Sequence, residues 1–252
     1  MTDVDLTRAL SFGAIAEQYE RTRPSYPAEL VDDLVALHPQ SVLDVGAGTG
    51  KVSQLLLARG LDVLAIEPDP RMAALARRKG ITVEESAFEH WDPRGRRFDL
   101  IVAGQSWHWV PQPDGSRRAC DILRDNGHLA AFWNLGVIEP PAAAAIDAVY
   151  AETAPTMARG DQGLREHMED QRRHLESLRE VGFVRIELRT YPWAITYTAD
   201  EWVALIATHS DHVTLAPEVR TTLLTRVHDA IVSVGGSLVL ELSTALILAA
   251  RP

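Results

Sequence analysis

Apolar residues follow two alternating patterns along this chain. Short β-branched or aliphatic runs at Val42–Val45, Val63–Ile66, Ile81–Val83, Phe98–Ala103 and Gly127–Trp133 read as buried strands. Helical stripes fall between them. A partial stripe (Leu6, Leu10, Ile15, Tyr19) predicts a helix over Asp5–Tyr19. Pro27 opens a helix whose apolar face is Leu30, Val31, Leu34, Val35 and Leu37, ending near His38-Pro39. Val52, Leu55 and Leu56 mark a helix over 50–59 that stops at Gly60. Asp69 and Pro70 are the N-cap and first position of another, which ends at Gly80. A further helix spans Pro113–Arg124, and Asn134 closes the fifth strand.

From Leu135 to about Gly182 the pattern is helical, with an alanine-rich part at 141–151 and a charged part at 162–181. Val184–Tyr191 is a strand. Thr198 and Glu201 have capping-box spacing, Pro217–Val234 is helical up to Gly235-Gly236, and 238–250 is a last strand or pair. Strands alternating with helices predict an α/β fold around an open, doubly wound sheet. The expected organisation is an N-terminal arm at 1–38, a core at 39–135 and a C-terminal half at 136–252. That half has strands near 183–191 and 238–250 and helical cap segments at 136–181 and 196–234.

The most informative stretch is Val42-Leu43-Asp44-Val45-Gly46-Ala47-Gly48-Thr49-Gly50. A strand, a glycine turn and a helix N-terminus present free backbone N–H groups to a ligand. The spacing is not that of a dinucleotide fingerprint, because Lys51 holds the third-glycine place, and it is not a phosphate loop either. Asp44, two residues before the first glycine, would repel a pyrophosphate and suits a cationic amino group. Glu67, at the end of the second strand, is placed to accept both hydroxyls of a ribose. An adenosine with a positive tail and no phosphates, such as S-adenosylmethionine, satisfies both acids.

These residues resemble the glycine motif and ribose acid (Glu67-Pro68-Asp69) of the class I S-adenosylmethionine-dependent methyltransferases. Phe98–Val102 resembles that family's fourth strand and Leu123–Ala130 the turn into its fifth, with Asp125-Asn126 in place of the usual Pro-Gly. Gln105-Ser106-Trp107-His108-Trp109 resembles the Gln-x-x-His-Trp signature of a bacterial small-molecule branch. The resemblance implies a Rossmann-like sheet of seven mostly parallel strands, the last antiparallel. It implies cofactor contacts from Asp44, Gly46, Ala47, Gly48, Gly50, Glu67, Pro68 and Gln105, with Ala87 and Phe88 walling the adenine. Tyr19, Arg23 and Tyr26 of the arm would close the site, and Trp107, Trp109 and Trp133 would suit an aromatic or hydrophobic small-molecule acceptor.

A base helps methyl transfer, and a histidine near neutral pKa is the usual one. Of nine histidines, His108 is the best-placed candidate, as base or as acceptor-orienting group; His209 and His212 are weaker candidates on the cap. No metal is expected, because Gln105-Ser106 stand where metal-using relatives carry acids. The net charge of −10 argues against a nucleic-acid partner. The lone Cys120 rules out an intrachain disulfide and suits a reducing cytoplasm. Neither a signal peptide nor a transmembrane run is apparent, and the protein is expected as a monomer or homodimer. The competing readings are a non-catalytic S-adenosylmethionine-binding regulator or scaffold and, disfavoured by Asp44 and Lys51, a nicotinamide oxidoreductase.

Overall fold

The computed structural model describes residues 16–157 and 162–252, with side chains of the helix at 162–181 described from residue 169 onward. Seven strands form one sheet in the order β3-β2-β1-β4-β5-β7-β6. These are β1 Val42–Val45, β2 Val63–Ile66, β3 Thr82–Glu84, β4 Phe98–Gly104, β5 Leu123–Ile138, β6 Val184–Thr198 and β7 Ser237–Ala250. The first five are parallel to one another, and β7 runs antiparallel to both β5 and β6. This is the expected doubly wound sheet with an antiparallel last strand.

Side-chain alternation divides the core between the two sheet faces. On one face Leu43, Ile101, Leu129, Ala131 and Ile247 pack with α5 (Asp114–Ile122) and α7 (Gln162–Val181) through Ala119, Ile122 and Leu178. On the other, Val42, Leu100, Val102, Phe132 and Leu246 pack with α2 (Ala28–Val35) and α3 (Lys51–Leu57) through Leu30, Leu34 and Leu56. The central strands are buried on both faces, which is why their sequences are continuous apolar runs. Between β2 and β3, α4 (Pro70–Arg78) starts as expected, with the Asp69 side chain accepting from Arg71 N–H at 2.9 Å.

Three expectations change. The helix expected over Asp5–Tyr19 lies largely outside the described residues; its described end is α1, Ala16–Thr22. Asn134 does not end β5, and Leu135 does not start a helix: the strand runs on to Ile138, paired with β7 up to Leu240. β6 likewise continues from Tyr191 to Thr198, facing β7 as far as Ser237. The long β7 hairpin partner holds both extensions, so tertiary pairing overrides the local helical signal at 135–138. A second apolar cluster forms on these strand ends. There α6 (Ala142–Thr153), α8 (Ala199–Ile206) and α10 (Pro217–Ser233) bury Ile146, Trp202, Leu223 and Val227 against Leu238, Leu240 and Leu242. Thr198 and Glu201 make the full capping box at the start of α8. The cap is thus built on the sheet rather than inserted beside it. Among the described residues, no helix is long and apolar enough to cross a membrane.

Candidate active site at the carboxyl ends of the strands

β1, β2 and β4 end together, and beyond them lies a cavity of about 410 Å³. Asp44 forms its floor. This carboxylate is 1% exposed; its Oδ2 accepts from the Ser53 amide at 3.1 Å and the Ser53 hydroxyl at 2.6 Å, while Oδ1 has no hydrogen-bond partner. Burial pushes its pKa up to about 6, with the two Ser53 bonds pulling the other way. Glu67 follows β2 immediately. Its Oε2 accepts from Gly48 N–H at 2.8 Å and its Oε1 from Asp69 N–H at 2.9 Å, leaving lone pairs on both oxygens. Burial raises it to about 7 against those two bonds. Neither acid forms an ion pair among the described residues. An orphaned buried oxygen beside a second acid that burial makes costly to ionise is a site shaped for donors and positive charge.

The glycine turn forms the wall above them. Gly48 has φ +58°, and a Cβ there would meet nothing within 4 Å, so its missing side chain is open cavity. Gly50 differs. It is the left-handed N-cap of α3, and a Cβ would lie 2.3 Å from Ile81 Cδ1. It serves packing and does not line the cavity.

Gly46, Ala47, Pro68, Ala87, Phe88 and Gln105 all line the cavity. Gln105 is left-handed (φ +58°), an uncommon conformation for a side-chain-bearing residue, and marks where β4 breaks off into the site. Its amide donates to Phe132 O at 2.9 Å, and its Nε2 to Asn134 O at 3.3 Å. The tryptophans of the signature separate. Trp109 lines the cavity, whereas Trp107 is fully buried against Phe88. Trp133 also stands behind the wall, donating from Nε1 to Nδ1 of the cavity-lining His108 at 3.1 Å.

The arm closes the cavity on another side through Tyr19, Arg23 and Tyr26. Arg23 donates from Nε and Nη2 to the hydroxyl and carbonyl oxygens of Thr208, both at 3.1 Å, and its guanidinium covers the Tyr19 ring. Lys51 Nζ donates to Glu20 O at 2.8 Å, tying the arm to α3. From the cap, His209 and Asp211 reach the cavity, on and beside α9 (Ser210–Val213). His212 turns away: Nδ1 bonds Asp211 Oδ1 at 2.8 Å, and Nε2 bonds the Tyr150 hydroxyl at 2.6 Å. Polar atoms of His209, Asp211 and His212 lie within 4.8 Å of one another, a set of residue types that metals use, although both His212 ring nitrogens are already engaged.

Of the residues singled out from sequence, Gly50, Trp107, Trp133 and His212 therefore do not line the cavity, and the others do. Sequence reasoning passed over Asn134 and Met72 as lining residues. Asn134 read as a strand end, and nothing local marks it as a wall.

A family profile for a methyltransferase domain matches residues 19–132. An uncharacterized methyltransferase of Mycobacterium tuberculosis is 31% identical over 231 residues, spanning 87% of this chain and 84% of that protein. A trans-aconitate 2-methyltransferase of the same species is 32% identical over 132 residues, about half of each chain (51% and 49%). The fold matches a putative type II methyltransferase from Anaeromyxobacter dehalogenans with TM-score 0.63 at 21% identity, over 90% of this chain and 97% of that one. With the sheet order, the glycine turn and a relative aligned along more than four-fifths of both chains, this chain belongs to the class I S-adenosylmethionine-dependent methyltransferases.

Proposed function

We propose that the cavity holds S-adenosylmethionine with its amino group toward Asp44, its ribose on Glu67 and its adenine between Pro68, Ala87 and Phe88. The observation that carries this assignment is the pair of buried acids without counter-ions, Asp44 with one orphaned oxygen, facing one cavity at the strand ends. When bound, the cofactor supplies an electrophilic methyl group on a sulfonium.

The chain's own residues then have three tasks. Glu67 accepts the ribose hydroxyls while still gripping Gly48 N–H, so cofactor binding and the shape of the glycine turn are coupled. The arm and cap, clasped by Arg23 on Thr208, keep water from the reacting centre. Gln105, His108, Trp109, His209 and Asp211 surround the remaining space and position a small acceptor in line with the methyl group. That end is polar around one indole, which favours an acceptor with hydrogen-bonding groups over a purely apolar one. The relative named for trans-aconitate supports a small acceptor.

Calorimetric titration with S-adenosylhomocysteine tests the assignment. Asp44→Ala and Glu67→Ala should each weaken binding by more than about tenfold, since each removes charge-assisted hydrogen bonds. Normal affinity in both variants would place the cofactor elsewhere.

A further inference from the structure

The bond between Trp133 and His108 fixes which way the His108 imidazole faces chemically. Indole Nε1 carries a hydrogen and no lone pair, so it only donates. It donates to His108 Nδ1 at 3.1 Å. Nδ1 must therefore be bare, and the proton of the neutral ring sits on Nε2. A second proton on the ring would set two N–H groups against each other. This polarity is the reverse of a catalytic triad, in which an acid receives Nδ1–H and leaves Nε2 bare to take a proton. Trp133 is itself held: its indole projects from β5 into the core, 5% exposed, and stacks on the buried His174 ring at 5.5 Å and 12°.

The other groups at this end of the cavity are no better as bases. Burial, and then the neighbouring Arg23, lowers the pKa of His209. Burial would raise Asp211, but its hydrogen bond with His212 and the charge of that ring outweigh it and leave the carboxyl well below its ordinary range. Tyr19 and Tyr26 are pushed up by burial and stay protonated. Asp44 and Glu67 stand at the cofactor end. Beside the ionised Asp211, the acceptor end offers donors, His108 through Nε2–H and the guanidinium of Arg23, with the Trp109 indole in the wall. Arg23 forms no ion pair with any described carboxylate.

We propose that His108, held by Trp133 as a neutral ring with its proton on Nε2, is a hydrogen-bond donor and not a base, and that the acceptor is a small carboxylate. A carboxylate is ionised at neutral pH, whereas only about one in a thousand molecules of a phenol or alkylamine with pKa near 10 is in its nucleophilic form. The step needs no proton transfer. A carboxylate oxygen lone pair forms the bond to the methyl carbon, and the carbon–sulfur bond breaks with its electron pair going to sulfur. The products are a methyl ester and the neutral thioether S-adenosylhomocysteine. The donors orient the anion and hold the oxygen that does not react.

This inference rests on the cavity being the cofactor site, and the two fail separately. Loss of S-adenosylhomocysteine binding to the intact protein would remove the cofactor assignment. With that binding intact, long-range proton–nitrogen NMR of the histidine-labelled, S-adenosylhomocysteine-bound protein at about pH 7.5 reads the His108 tautomer directly. The expected result is a bare Nδ1 and a protonated Nε2, with the preference lost in Trp133→Phe. A bare Nε2 in the unaltered protein would overturn the proposal.

A turnover arm offers methyl-labelled S-adenosylmethionine with succinate, citrate, benzoate and octanoate, beside catechol and ethanolamine. Label released as methanol by alkali is the expected product. Label in an alkali-stable aryl ether or methylamine overturns the acceptor class. On the substrate found, His108→Gln should keep kcat within about tenfold, and His108→Glu should raise KM by more than about a hundredfold. Equal loss in both variants would overturn the donor role.

Discussion

Acid should loosen the cofactor's grip on this protein by an amount set by Glu67 and Asp44. Burial raises their pKa values to about 7 and about 6, above ordinary values of 4.5 and 3.8. Each shift corresponds to roughly 3 kcal/mol of ionisation cost in the ligand-free cavity. Because the folded pKa values are raised, the ligand-free protein binds more protons than the unfolded chain between about pH 4 and pH 7. Its stability therefore falls as pH rises through that window, opposite to the behaviour of a salt-bridged carboxylate.

Ribose hydroxyls and an ammonium group favour the ionised acids, so binding expels protons. Between about pH 8 and pH 5.5, Glu67 alone should weaken S-adenosylhomocysteine binding by about 30-fold and Asp44 by about 4-fold, together on the order of a hundredfold. Calorimetry across this range, repeated in buffers of different ionisation enthalpy, measures both the affinity and the protons released. Glu67→Gln should bind weakly at every pH and lose most of the slope. An affinity independent of pH over this range, or tighter binding in acid, would refute the placement of these carboxylates against the cofactor.

Other outcomes separate the cavity from its supports. Gly48→Ala should cost only about 1–2 kcal/mol of stability, from the left-handed backbone alone, yet weaken S-adenosylhomocysteine binding more than about tenfold, because its Cβ enters open cavity. Gly50→Ala should lower the unfolding midpoint more than Gly48→Ala, since to the same left-handed strain it adds contacts of its Cβ with Ile81 Cδ1 and Ala76 Cβ; an equal effect would mean that the Ile81 side chain rotates away freely. Trp107→Ala should destabilise the fold by about 3–5 kcal/mol in denaturant titration, as for a fully buried aromatic; a near-neutral result would contradict its place in the core. Thr198→Ala removes the capping box of α8 and should cost about 1 kcal/mol by the same measurement, with little change expected in cofactor affinity.

The part of the cavity proposed to hold the cofactor could be read from the chain because its residues are local. Asp44 and Gly46–Gly50 are contiguous, and Glu67 ends the adjacent strand, so strand order alone brings them together. The acceptor half could not be read that way. Trp107 and Trp109 are two residues apart and looked equivalent, but the 3-10 turn at Trp107–Trp109 sends the first into the core and leaves the second at the cavity. Trp133 looked like a wall residue, and only the pairing of β4 with β5 puts its N–H against His108. Asn134 became a lining residue because β5 does not stop there, a fact set by its long antiparallel partnership with β7. His209, the N-cap of α9, lines the cavity, while His212 three positions on packs edge-on against its ring at 5.7 Å and is held behind it by the Tyr150 hydroxyl of α6. Local patterns gave strand ends; long-range pairing decided which side chains face the ligand.

A crystal structure of the complex with S-adenosylhomocysteine tests the central assignment most directly. The account predicts both ribose hydroxyls within hydrogen-bond distance of Glu67, the amino group near Asp44 Oδ1, and the adenine beside Phe88. A ligand bound away from the glycine turn, or one whose ribose leaves Glu67 untouched, would contradict it.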